Sequence, residues 1–185
     1  MKKQNRGSTM TFTEKTIEKY CDVLLWALKT ARKGPCGKNE IIMIRYELPA
    51  LRLAEALQAS LLDSGMHPVL RVGLTPQMEK QFYVKANKKQ LLFQPPGESE
   101  LYRKLNGGIY LHAPDSLTHL ADVDSKKIGK AAVARKSLKD ILDRREEIGK
   151  FSWTLCLFPT AELAKQAKLP MARYAAQVIK ACYLD

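Results

Sequence analysis

No run of about 18 apolar residues occurs in this 185-residue sequence, so no membrane-crossing helix is expected from it. The basic start "MKKQNRGSTM" is not followed by an apolar stretch with a small-residue cleavage site, and a secretory signal is not expected. Cysteine is sparse. Cys21, Cys36, Cys156 and Cys182 are scattered and form no CxxC pair, which argues against a zinc ribbon or a disulfide scaffold. Reduced thiols in a cytoplasmic protein are the simpler expectation. Histidine is scarcer still, with only His67, His112 and His119, and HExxH is absent. No GxSxG elbow is present. No internal repeat or low-complexity linker interrupts the chain.

Present instead is a large excess of positive charge, +12 in total. Such a balance attracts phosphate backbones or anionic surfaces at low salt, but charge alone defines no groove. From Lys126 to Lys150 the basic residues are interrupted by Asp140, Asp143, Glu146 and Glu147. That pattern reads as a solvated helix face with i,i+4 pairs. Solubility is the plainer account, and a nucleic-acid or membrane partner is not expected.

A chain of this length fits one domain and should bury roughly 70% of the surface exposed by its unfolded form, without needing a disulfide or metal. Residues 1–10 read as a flexible tail. Thr11 and Glu14 then have capping-box spacing, and Ile17, Cys21, Leu24, Leu28 and Ala31 mark a helix that Gly34-Pro35 stops. With Val23, Leu25 and Trp26 also apolar, that helix is expected to pack on more than one side. "IIMIRY" (41–46) reads as a strand covered on both faces. Pro49 opens a helix along Ala50, Leu53, Ala54, Leu57 and Leu61, and "PVLRV" (68–72) completes a βαβ unit. Further strands are expected at 108–113 and 152–158, a short helix in "QMEKQFYV", another after Pro95-Pro96, and a long helix from about Ser125 to Ile148. The last two helices each open at a proline. Alternating strands and helices predict a doubly wound α/β fold: a mostly parallel sheet of about four or more strands with helices on both faces.

Candidate chemistry is thin. A phosphate cradle needs glycines after the first strand, but "YELPAL" has none and carries Glu47. His67 follows a helix-ending glycine and precedes Pro68, so it belongs at the amino edge of a strand, away from the edge where ligands gather; a turn role is expected. "HAPDSLTH" holds the one cluster worth naming: His112, near the carboxyl end of a strand, with Asp115 and His119. A loop with cap-forming Asp115, Asp122 and Asp124 competes with a site in which histidine serves as ligand or base. Cys36, in "GPCG", is the exposed thiol candidate, whereas Cys21 and Cys156 are expected buried and inert. Glu98 and Glu100 open a helix, where acidic side chains are favoured in any case.

The ordered segments "YCDVLLWAL" (20–28), "LAEALQASLLDSGMHPVL" (53–70), "LLFQPP" (91–96), "ADVDSKKIGKAAVARKSL" (121–138) and "WTLCLFPTAELAKQAKLPMARYAAQVIKACYLD" (153–185) resemble the thermophilic aminopeptidase family (aminopeptidases T, S and II). The resemblance covers nearly everything after residue 10. It implies that 11–185 is the amino-terminal α/β domain of a metal-dependent aminopeptidase, a hydrolase removing N-terminal residues from peptides. In the family two divalent metals (zinc, cobalt or manganese) are held by a C-terminal domain, so no catalytic or metal-binding residue carries over to this chain. On this reading the chain alone binds no cofactor and is non-catalytic, and it meets peptide substrate only with a complementary C-terminal domain. A homodimer is left open. Two other readings compete: a stand-alone binding module for an anionic partner, and a small cofactor-independent enzyme using His112 and nearby aspartates.

Overall fold

The structure, a computed structural model, describes residues 12–185. The expected tail at 1–10 and the proposed cap Thr11 lie outside the described residues. Four strands form one parallel sheet: β1 (Ile41–Tyr46), β2 (His67–Val72), β3 (Gly107–His112) and β4 (Ser152–Leu157). Their order is β2-β1-β3-β4. Each lies within one residue of the segment expected from its apolar run. Ile42, Met43 and Ile44 on β1 are buried on both sides of the sheet, as the continuous run requires.

One face is closed by helices α1 (Glu14–Thr30) and α2 (Leu51–Asp63). Ile17, Tyr20, Leu24 and Leu28 from α1 meet Leu53, Leu57 and Leu61 from α2 over Ile42, Ile44 and Ile109. The last helix, α9 (Met171–Ala181), adds Ile179 to the same core. Helix α1 is narrower in its packing than its composition suggests: Trp26 is 66% exposed and only one stripe is fully buried. The Thr13 hydroxyl caps it, accepting the Thr16 N–H. The helix ends at Thr30, four residues before the glycine-proline stop.

The other face is covered less evenly by α3 (Pro76–Lys85), α4 (Lys88–Leu91), α5 (Glu98–Lys104), α6 (Ser125–Ala134) and α7 (Lys136–Glu147). Met43, Leu105 and Phe151 pack with Leu101 of α5 and Leu142 of α7. Ala131 of α6 instead joins Tyr83, Ala86 and Leu91. The single long helix expected over 125–148 is therefore two helices that serve two apolar clusters and break at Arg135. Gln94 steadies the break, its amide donating to the Ala134 carbonyl and to the Ser137 hydroxyl. Lys136–Asp140 and Lys139–Asp143 are the i,i+4 ion pairs the charge pattern predicts. Helix α8 (Ala161–Gln166) completes the chain order before α9.

The amino edge of the sheet is tied by a buried ion pair. The Arg32 guanidinium lies 2.6 Å from Glu40 and also donates to the Ser152 hydroxyl and the Asn106 carbonyl. Asn106 in turn accepts the Ile41 N–H through its side-chain oxygen, and the Ser152 hydroxyl donates to the Leu28 carbonyl. One guanidinium thus joins the end of α1 to the starts of β1, β3 and β4. His67 sits on this same edge, its side chain exposed and its N–H donating to the Glu40 carbonyl. This is the turn position expected for it.

Candidate functional site

The chain runs from β1 out to β2 and then returns across β1 to β3, so the switch point lies between β1 and β3. Ligands in open α/β sheets gather outside the strand carboxyl ends at such a point. A cleft of about 380 Å³ opens there, lined by Glu47, Gly73, Glu79, Tyr110 and His112 among others. A smaller recess of about 40 Å³ adjoins it, sharing Glu47, Gly73 and Glu79 and adding Asp115 and His119.

Glu47 is the first residue after β1, and it clasps β3. Its Oε2 accepts the Ala113 N–H at 2.6 Å and lies 3.4 Å from His112 Nδ1. Gly73, just past β2, donates its N–H to the Tyr46 carbonyl at 2.7 Å. A Cβ added there would lie 3.4 Å from the Glu47 Cγ, an ordinary van der Waals contact. Glu79 comes from the first turn of α3, which Thr75 caps through the Met78 N–H. Its Oε2 lies 2.8 Å from His119 Nε2, while His119 Nδ1 lies 3.2 Å from the Ser116 carbonyl. The loop between is anchored by the Thr160 hydroxyl, which donates to the Pro114 carbonyl at 2.8 Å.

The structure therefore distributes the three sequence candidates over two neighbouring pockets. His112 faces the larger cleft beside Glu47; Asp115 and His119 face the recess beside Glu79. Asp122 and Asp124 take the structural roles open to them: Asp122 pairs with Lys80 at 2.7 Å, and Asp124 caps α6. Both carboxylate partners, Glu47 and Glu79, escaped sequence reasoning. The signal for Glu47 was its place immediately after the first strand; Glu79 carries none beyond opening a helix. Glu98 and Glu100 pair with Arg71 and Lys104 rather than with each other.

A histidine held by a carboxylate can move a proton, but nucleophilic catalysis also needs a hydroxyl or thiol within reach of that histidine. Among the described residues, no serine, threonine or cysteine side chain is hydrogen-bonded to His112 or His119. The thiols offer no substitute. Burial pushes Cys21 and Cys156 up to about 12. Cys36, expected to be exposed, is half-buried and donates to Glu40 at 3.3 Å; burial and then that bond raise its pKa. Thiol titration of the native protein near pH 8 should leave Cys21 and Cys156 unmodified until denaturant is added. Rapid labelling of either in the folded state would contradict the packing of α1 on β4.

The family model for thermophilic metalloprotease (M29) matches residues 13–185. No curated protein matches the chain. A solved structure, wild-type AmpT from Thermus thermophilus, is similar at 15% identity and a TM-score of 0.67, over 94% of this chain and 43% of that one. The chain thus spans less than half the length of that structure, and at this identity the likeness establishes the fold. A metalloprotease family implies a divalent metal, and the residues here do not fit one. Among the described residues, no three His, Cys, Asp or Glu side chains are grouped so that they could hold an ion. His112 and His119 each have a single carboxylate partner, fewer donors than a zinc or two-metal site uses. By its match over nearly all of its length, the chain belongs to the thermophilic metalloprotease family.

Proposed function

We propose that this chain is the amino-terminal α/β domain of a metal-dependent aminopeptidase and is not catalytic by itself. The observation that carries the proposal is the donor geometry just described: family membership implies a metal, yet the described residues offer pairs of ligands and no cage. The greater length of the AmpT structure supports the same division, with the metal held by a further domain and this domain shaping access to it. Peptide substrate would then be handled only by the two parts together. The domain's own task is to present the carboxyl edge of its sheet, with Glu47 and Glu79 fixed by backbone and histidine contacts.

The test is an assay of the purified 185-residue protein on an aminoacyl-nitroanilide with added zinc, cobalt or manganese. No metal-dependent turnover is expected. Turnover that is abolished by a chelator and restored by the metal would overturn the division of labour. The same assay on His112→Ala addresses the small-enzyme reading: that reading requires metal-independent hydrolysis by the native protein and its loss in the variant, and no hydrolysis by either is expected.

A further inference from the structure

Arginine is an unusual occupant of a central strand in a parallel sheet, where both faces are normally apolar. Arg45 lies on β1 directly after the fully buried Ile44, and its register partner on β2 is Arg71. Like charges placed directly opposite on one sheet face destabilise it. Arg71 has a carboxylate, Glu98, at 3.3 Å. Arg45 has none within ion-pair distance among the described residues, and neither does Arg135, at the α6–α7 break. All three arginines line one groove of about 240 Å³, together with Glu98, Met43, Phe93 and Leu138 among others. Arg45 and Arg135 also line the cleft at the switch point, so the groove continues into it. Tyr102 lines the same groove: burial raises its pKa first and Glu98 raises it further, while Arg45, Arg71 and Arg135 all pull it down.

Three cations with one carboxylate around an apolar-walled groove leave positive charge without a partner. A planar guanidinium fork matches a carboxylate or phosphate with two parallel hydrogen bonds. We propose that this groove binds a small organic oxyanion, a carboxylate or phosphate group carried on an apolar or aromatic body. The head group lies between Arg45 and Arg135, and the body rests on Met43, Phe93 and Leu138. Arg135 stands at the α6–α7 break, so the groove takes one of its cations from that break. The proposal does not depend on the peptidase reading, since it requires no metal and no further domain.

Calorimetric titration of the 185-residue protein at low ionic strength tests it with four probes: N-acetyl-phenylalanine, its amide, phenyl phosphate and inorganic phosphate. At least one of the two aromatic oxyanions is expected to bind, and the tighter of them identifies the head group. The uncharged amide should bind at least tenfold more weakly, and inorganic phosphate more weakly than phenyl phosphate. Arg45→Met and Arg135→Met should each weaken the oxyanion at least tenfold. Unliganded Arg45→Met should melt no lower than the native protein, because it removes a like-charge contact and breaks no ion pair. Failure of both aromatic oxyanions to bind, equal binding of the amide, equal binding by inorganic phosphate, or unchanged affinity in both variants would each overturn the proposal. A markedly lower melting temperature for unliganded Arg45→Met would assign that arginine a structural role instead.

Discussion

Replacing Arg32 by methionine is expected to lower the stability of the folded protein by about 3 kcal/mol, the lower end of what breaking a buried ion pair costs. The side chain of Arg32 is 2% exposed and that of Glu40 14%. Methionine fills similar space but leaves the Glu40 carboxylate, the Asn106 carbonyl and the Ser152 hydroxyl without their shared donor. For a chain of this length such a loss lowers the melting temperature by about 6–12 °C. The pair also sets a pH dependence. Burial raises the Glu40 pKa, but hydrogen bonds from Arg32, the Gly37 N–H and Cys36 outweigh it and hold the carboxyl below its ordinary value. A depressed carboxylate contributes stability above its unfolded pKa and loses it as pH falls through the folded value. The native protein should therefore lose stability below the ordinary carboxylate range, and Glu40→Gln should flatten that part of the profile. Thermal melts of the three proteins from pH 7 down to pH 3 check both points. An Arg32→Met melting temperature within 2 °C of native would mean that the guanidinium is not the tie at the amino edge.

The second large effect separates the two faces of the sheet. Leu57 is wholly buried between α2 and the sheet, so Leu57→Ala should cost about 2–5 kcal/mol through lost transfer energy and the cavity left behind. Leu155, on edge strand β4, is 56% exposed, and Leu155→Thr should fall within about 0.5 kcal/mol of the native protein. Threonine places a β-branched side chain on this half-open surface, where strand preference favours it. Urea unfolding of the two variants measures the contrast directly. Comparable losses at both positions would show that a covering layer packs over β4 as tightly as α1 and α2 pack over β1.

That asymmetry explains what the sequence could and could not reveal. The strands were legible because continuous apolar runs such as "IIMIRY" and "SWTLCLF" are short, β-prone and bounded by turn residues. The face of α2 was legible for the same reason: Leu53, Ala54, Leu57 and Leu61 are all fully buried, as is Ala50 at its cap. The break at Arg135 was not, because Ile128, Ala131, Leu138 and Leu142 keep a helical rhythm across it. Its cause is tertiary: two clusters in different places and a glutamine 40 residues away on the Ala134 carbonyl. Within "IIMIRY" the arginine looked incidental to an apolar strand. Only the register places Arg45 against Arg71, and only the fold puts both in one groove with Arg135.

The site was half visible. His112 could be placed at the productive edge, since a strand end is readable from its run. Its partner Glu47 stood in the sequence as an obstacle to phosphate, and only the pairing of β1 with β3 turns it into a clasp on Ala113 and His112. His119 meets Glu79 across 40 residues, a contact that depends on where the loop after β3 returns over α3. The resemblance to metal-dependent aminopeptidases supplied the family, which the family model matches over residues 13–185.

The most direct measurement is metal content. The 185-residue protein is dialysed against zinc, cleared of loosely held ion by a mild chelator, and assayed by elemental analysis. The account predicts far less than one zinc per chain, with no difference between the native protein and His112→Ala. One tightly held zinc per chain, lost when His112 or Glu47 is replaced by alanine, would contradict it.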